Sequence, residues 1–380
     1  MVTFVDEPTY KRFVVGEIPR FRHKNTVFAR GTWDPKFMPL VKKFAMASSM
    51  PREEPGYRPE EFALRNAAWH VDRVTAAGDS RGFLSKGLFN GLENWEWTGP
   101  VQGFPPPGYQ LESKDPAAVS TLVKDAARFF GADLVGITAL NPSWVYSHLL
   151  EGETETPLEL SPECRWVVVM AVEEDYERHR HWGAITGAAV GFGYSRMAIV
   201  AGSLGQYIRN LGYKAIAAGN SVALSIPLAI DAGLGELGRN GLLITREYGP
   251  RVRLCKVITD LPLAPDKPVD LGVEAFCEDC KKCATYCPSR SVPAGERRAE
   301  PLTISNNSGL LKWMVDGERC FQYWAHNGVD CSLCRAVCPW CKPNAWYHRT
   351  AVGMAKWGKP ARSLLIKLDD VFYPRPNGRR

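Results

Sequence analysis

The sequence predicts an α+β chain: a layered domain of helices and strands with a small cysteine-rich module near its end. Three observations lead there. Apolar, β-branched runs alternate with helical stripes between 111 and 271. Eight of the eleven cysteines fall between 277 and 338. The first 110 residues show little periodicity and are rich in Pro, Gly, Arg and aromatics. They read as a wrapping segment with short helices, the best of them at 60–71. Four parts result: 1–110, the layered domain 111–271, the cysteine module 272–345 and a returning segment 346–380.

The elements follow in order. The proline cluster at 105–108 marks the first boundary. Residues 116–131 carry Val119, Leu122, Val123, Ala126, Phe129 and Phe130 on one helical stripe. Residues 132–140 (ADLVGITAL) and 165–172 (RWVVVMAV) are apolar without alternation, as strands covered on both faces are. A helix is expected at 194–211, a strand at 214–218, a helix at 225–233 and a strand at 254–259. Ser225 and Pro227 open the second of those helices. This order suits a layered α/β or α+β domain.

Composition narrows the function classes. The chain has 380 residues, 45% hydrophobic and 23% charged, enough for a large core plus a module. Net charge is +6, scattered except for Lys356, Lys359, Arg362, Lys367, Arg375, Arg379 and Arg380 near the end. That density does not make a nucleic-acid surface. The twelve tryptophans suggest an aromatic-lined cavity. No run of 18 apolar residues is present, so no membrane span is expected. MVTFVDEPTYKRF lacks the apolar core of a signal peptide.

The cysteines carry the chemistry. Cys277-x2-Cys280-x2-Cys283-x3-Cys287-Pro288 is the spacing of bacterial two-cluster ferredoxins, in which the fourth cysteine serves the other cluster. Cys320 and Cys331-x2-Cys334-x3-Cys338-Pro339 supply the second half. The crossed rule gives one cluster to Cys277, Cys280, Cys283 and Cys338, and the other to Cys320, Cys331, Cys334 and Cys287. Four-thiolate zinc is the competing reading, which the two CxxxCP endings disfavour. Cys164 and Cys255 are expected in the core, and Cys341 is expected to be structural rather than a spare ligand. Gly233-x-Gly235-x-x-Gly238 follows a helix, not a strand, so it reads as a loop approaching some flat cofactor other than a nicotinamide. His179 and His181 are expected at the surface. No Asp-x-His occurs.

Taken together, several stretches resemble the corrinoid-dependent, iron–sulfur reductive dehalogenases of the respiratory type. They are NTVFARGTWDP, ADLVGITALNPSWVYS, GYSRMA, GNSVA, AGLGELGRNGLLITREYGPRVRL, CFQYWAHNGVDC and LLIKLDDVFY. The resemblance implies a nitroreductase-like cobalamin-binding domain at 111–271, a ferredoxin-like module with two 4Fe–4S clusters, and an N-terminal segment that helps close the pocket. It implies reductive cleavage of a carbon–halogen bond in a small organohalide at cob(I)alamin. The proton donor falls on Tyr194, a pocket asparagine on Asn220 and the tyrosine's basic partner on Arg253, with Lys256 as the other choice. Pocket aromatics fall on Phe28, Trp69 and Trp324, and cobalamin contacts on Gly241 and Leu243. The missing Asp-x-His implies a base-off corrinoid without a protein ligand. An arginine beside a tyrosine favours its ionised form, so the trio also makes chemical sense without the family.

Partners implied are an external electron donor and a small membrane-anchor subunit; a homodimer is admitted, and no nucleic acid is expected. The location implied is peripheral, on the outer face of the cytoplasmic membrane, with the cytoplasm as the alternative, because the family's mature form begins at a stretch like VDEPTYKRF. Two other functions stay open: an epoxyqueuosine reductase-like enzyme, whose donor is an aspartate where this chain has Tyr194, and a plain iron–sulfur electron carrier.

Overall fold

Four strands form the central sheet, in the order Leu134–Ala139, Trp166–Glu173, Val252–Thr259, Ala215–Ala218, and every pairing is antiparallel. The computed structural model describes residues 3–48, 50–77, 106, 108–112, 114–151 and 154–373. Part of the proline boundary at 105–108 lies outside them, as do Arg375, Arg379 and Arg380 of the basic tail. Antiparallel pairing makes the fold α+β rather than parallel α/β. The strand sequences hide this, because helices cover both faces of the sheet and erase the alternation that usually marks antiparallel strands.

One face packs against helices Pro116–Phe129 and Ala184–Asn210, joining Val123, Ile137, Val168, Met197, Leu204 and Val257 in one core. The other face packs against helix Ser225–Asp231, with Trp144, Val167, Val169, Leu228 and Ile258. Cys164 and Cys255 are buried, one in each core, as expected of free thiols. The long helix begins ten residues earlier than its periodicity suggested. Its first turns, AITGAAVGFG, are small and buried nearly all round, so they carry no stripe. By length and composition this helix could cross a membrane, alone among the described residues, but 72% of its apolar window is buried inside the protein. It is the central core helix.

The N-terminal segment wraps the rest. Thr3–Phe4 pairs with Val269–Asp270. The Tyr10 hydroxyl donates to Asp231 Oδ1 at 2.7 Å. Helix Met38–Ala47 lies against helix Gly317–Asn327, with Phe37, Val41 and Phe44 around Phe321. Helices Pro59–Ala68 and His70–Ala77 lie along the long central helix.

In the cysteine module, helix Val273–Cys280 gives way to helix Lys282–Thr285 through Lys281, whose φ of 54° is left-handed. That sharp reversal, sparsely allowed for a side-chain-bearing residue, folds Cys283 back towards Cys277 and Cys280. The returning helix Lys359–Phe372 closes the module from outside, where Asp369 pairs with Lys282 and Lys342, each at 2.6 Å.

Candidate active site

Tyr194, Asn220 and Arg253 come from the central helix, the loop after Ala215–Ala218 and the start of Val252–Thr259, and they meet at one oxygen. Asn220 Nδ2 donates to the Tyr194 hydroxyl oxygen at 2.8 Å, and Arg253 Nη1 donates to it at 3.3 Å. The Arg253 guanidinium also lies 4.5 Å from the centre of the Tyr194 ring. On the other side Trp69 stacks on that ring, 4.8 Å between centroids and 24° between planes. Gly191 permits this approach, since a Cβ there would sit 2.2 Å from the Trp69 ring. Tyr194 thus presents one hydroxyl, held by two donors, at the edge of an aromatic wall.

Arg253 is itself held. Its Nε donates to Glu174 Oε1 at 2.7 Å. Glu174 is 1% exposed and also takes Arg335 Nη1 at 2.5 Å and His179 Nε2 at 3.2 Å on its other oxygen. Burial alone would raise the Glu174 carboxyl. The charges of Arg253 and Arg335, and the bond from His179, outweigh it and hold the group well below the usual carboxylate range. Burial lowers His179. His179 is therefore an interior residue, against the surface expected for it; only His181 of that pair is exposed. The strand register explains the meeting: Arg253 stands opposite Val172, two residues before Glu174.

Lys256, the other choice for the tyrosine's partner, points to the opposite face. Side chains alternate along a strand, and three residues change the face. Its ammonium donates to the Gly219 carbonyl at 2.5 Å and to Ser225 Oγ at 3.0 Å. Of the two, Arg253 is the one that reaches the Tyr194 hydroxyl.

Tyr194, Asn220 and Arg253 line a cavity of about 460 Å³. Phe28, Trp69 and Trp324 form its aromatic wall; Phe28 lies 5.7 Å from Trp324, centroid to centroid. Gly241 and Leu242 border it, Gly241 with a left-handed φ of 73°. Leu243 does not. It pairs with Leu237 in a short hairpin and is buried in the second core, so the cavity contact belongs to its neighbour. The glycine motif is likewise corrected. A Cβ at Gly235 would meet the Ile244 carbonyl at 2.2 Å, and one at Gly233 the Lys267 carbonyl at 2.4 Å. Those glycines let backbones touch, and neither they nor Gly238 line the cavity.

The thiols fall into the two crossed sets. Burial raises the Cys338 thiol well above its ordinary value, and Cys277, Cys280 and Cys283 raise it further. Burial likewise raises Cys320, with Cys334, Cys331 and Cys287 adding to it. Cys283 feels Cys334 as well as its own set, so the two sets adjoin there. Buried thiols that repel one another suit a cationic core that would take them as thiolates. Among the described residues no three Cys, His, Asp or Glu side chains close on a single ion. Two groups of four thiols are the donor set that a pair of iron–sulfur clusters takes. Cys341 lies in the same apolar cluster as Cys277 and Cys338 and is 1% exposed; burial raises its thiol, against the lowering charges of Arg251 and Lys342.

Sequence reasoning missed Glu174 and Arg335. The signals were present: an acidic run, Glu173-Glu174-Asp175, closing a buried strand, and an arginine directly after Cys334.

No established family profile matches the chain. Curated relatives do. Over 289 residues it is 40% identical to a tetrachloroethene reductive dehalogenase of Sulfurospirillum multivorans, covering 69% of this chain and 58% of that protein. Over 302 residues it is 40% identical to a tetrachloroethene reductive dehalogenase of Desulfitobacterium hafniense, covering 69% of this chain and 55% of that protein. Among solved structures, the catabolic reductive dehalogenase NpRdhA, in complex with 3-bromo-4-hydroxybenzoic acid, superposes with a TM-score of 0.73 at 25% identity, over 98% of this chain and 48% of that one. The chain thus spans little more than half the length of the curated relatives it matches. Fold and site define an α+β domain that shares its cavity with a cysteine-rich module. By sequence and fold the chain belongs to the reductive dehalogenase family.

Proposed function

We propose that this chain reductively removes halide from a small organohalide, with Tyr194 as the proton donor. The observation that carries the reading is the Tyr194 hydroxyl, held by Asn220 and Arg253 in an aromatic-walled cavity whose far side includes Cys287, Cys320, Cys331 and Cys334. Those thiols and the set around Cys338 would hold two 4Fe–4S clusters in a ferredoxin-like module. Gly241 and Leu242 border the space for a corrinoid in a nitroreductase-like domain. A corrinoid bound there supplies the reducing power that breaks the carbon–halogen bond. The chain's own residues do the rest. Phe28, Trp69 and Trp324 supply much of the cavity's apolar surface and help exclude water. Tyr194 gives its hydroxyl proton to the carbon that has lost halide, and the charge left on its oxygen is met by Asn220 and Arg253. Glu174 keeps Arg253 turned towards that oxygen.

Protein prepared without oxygen and supplied with iron, sulfide and cobalamin should bind about eight iron and one cobalt and release halide under a strong reductant. Zinc in place of iron, or no retention of cobalt, would refute it. No helix but the buried central one is long and apolar enough to span a membrane among the described residues. We also infer a location on the outer face of the cytoplasmic membrane, held there by a small anchor subunit; recovery of the native protein in the cytosol alone would exclude that location.

A further inference from the structure

The loop that carries Asn220 contains a backbone conformation its sequence should resist. Val222, two residues on, has a left-handed φ of 67°. Around it the Ala223 amide donates to the Ser221 carbonyl at 2.7 Å. A hydrogen bond that closes three residues over a positive φ makes a γ-turn of the rare, strained kind. A β-branched side chain makes it an outlier, since glycine is the residue that takes this conformation freely. Such strain persists only where the surroundings over-determine it, and it gathers at functional sites. Several contacts hold this loop. Val222 is buried in the second core. The Lys256 ammonium, on a residue 0% exposed, donates to the Gly219 carbonyl at 2.5 Å and to Ser225 Oγ at 3.0 Å, which ties the two ends of the loop together. The Tyr146 hydroxyl donates to the Asn220 carbonyl at 3.3 Å, and the Tyr146 amide donates to the Val222 carbonyl at 2.9 Å. Val145 bridges Ala223, and the Leu224 amide donates to the Trp144 carbonyl at 2.8 Å.

Two of these bonds bear directly on Asn220. The Gly219 carbonyl belongs to the peptide plane before its Cα, and its own carbonyl belongs to the plane after it. Peptide planes are rigid, so fixing both fixes the two dihedrals of Asn220 and the direction of its side chain. That side chain ends at Nδ2, 2.8 Å from the Tyr194 hydroxyl oxygen. We propose that Lys256 and Tyr146 are positioning residues for proton transfer: they hold the strained loop closed and so aim Asn220 at the Tyr194 oxygen. Neither lines the cavity, and each acts through the backbone on either side of Asn220. Without them the turn at Val222 relaxes out of its positive φ, and Asn220 turns with it. Lys256 thereby has a use on the face of the strand away from Tyr194. The inference rests on the reading of Tyr194 as proton donor.

Two readouts separate the clamp from the chemistry. The first is hydrogen exchange of the oxidised holoprotein, followed by mass spectrometry. Lys256→Met keeps an unbranched side chain and removes the ammonium; Tyr146→Phe keeps the ring and removes the hydroxyl. In either variant the amides of 219–225 should exchange about tenfold faster, the worth of one good hydrogen bond, while the rest of the chain exchanges as before. The second readout is kcat and KM for halide release. Asn220→Ala removes a donor to the Tyr194 oxygen and should lower kcat about 10²–10³-fold. Lys256→Met should lower it about tenfold with KM unchanged, because the contact counts only as charge develops on that oxygen. Added to Asn220→Ala, it should lower kcat no further, since the clamp acts through that side chain alone. A loss that adds to that of Asn220→Ala, or exchange that rises throughout the protein, would make Lys256 merely structural and overturn the proposal. Unchanged loop exchange in both variants would overturn it too. Faster loop exchange, together with full turnover in Asn220→Ala, would uphold the clamp and sink the proton-donor reading.

Discussion

The thiols of Cys277, Cys280, Cys283 and Cys338 pack among Phe276, Trp340 and the returning helix Lys359–Phe372, whereas Cys287, Cys320, Cys331 and Cys334 form part of the wall of the Tyr194 cavity. The two sets arise from nearly the same spacing, and their surroundings set them apart. The first contains two buried thiols, Cys277 and Cys338, and is covered by apolar side chains. Every thiol of the second is partly exposed, because the cavity opens onto them. Cys283 and Cys334 lie where the sets adjoin. Under the proposed function this difference orders the electron path: from outside to the covered set, across that junction, and into the cavity.

The strongest way to break the comparison is to remove a cavity-lining thiol. Cys334→Ser should cut bound iron by about half, one of two clusters, and bring halide release to background, while the covered set keeps its own spectrum. Iron content and low-temperature electron paramagnetic resonance check this. If Cys334→Ser kept full iron and turnover, the crossed assignment of ligands would be wrong.

Next in size is the hydroxyl that the second set faces. Tyr194→Phe keeps the ring and its stack with Trp69 and removes the one transferable proton. General acid catalysis is worth roughly 10²–10⁴-fold, so turnover should fall by about that factor with iron and cobalt unchanged. Near-normal halide release from a fully loaded variant would move the proton donor elsewhere.

Glu174 tests the link between the two regions, since it holds Arg253 beside Tyr194 and Arg335 beside Cys334. Removing one partner of a buried ion pair costs about 3–5 kcal/mol. Glu174→Gln should lower the free energy of unfolding by about that amount, and turnover should drop because Arg253 is no longer held. The pH dependence has a definite sign. Glu174 is held well below the usual carboxylate range, so its contribution is complete above about pH 4.3 and is lost as the pH falls further. The variant should lack that acid-sensitive part, as unfolding measured between neutral and acid pH would reveal.

How much of this was legible without coordinates depends on what kind of pattern each feature leaves. The thiol sets were, because ligand spacing is local and strict. The strands were too, because buried sheets leave long apolar runs; their antiparallel direction was not, because those runs carry no alternation. The choice between Arg253 and Lys256 needed the strand's phase, which only the register Val172 opposite Arg253 supplies. The start of the central helix was hidden by small residues buried all round. Glu174 and Arg335 were out of reach for a common reason. Each matters through partners from other segments, and an isolated Glu, Arg or Asp reads as a surface charge until the fold buries it.

The smallest expected effect concerns Cys341, three residues after Cys338. A nearby ninth thiol could in principle serve the covered set and blur the comparison. Its surroundings argue otherwise. It is 1% exposed and sits in one apolar cluster with Ile244, Trp313, Trp340 and the thiols of Cys277 and Cys338, but the charges that act on it most are those of Arg251 and Lys342. The Gly249 backbone also runs against the Trp340 carbonyl and the Cys341 nitrogen, so the segment is pinned by its main chain. Cys341→Ser should therefore leave iron content, cluster spectra and turnover unchanged. Its cost is that of placing a more polar atom in a small apolar site, about 1–3 kcal/mol of stability. A fall in iron, or a shifted spectrum of the covered set alone, would make Cys341 a ligand and reopen the choice of the fourth thiol there.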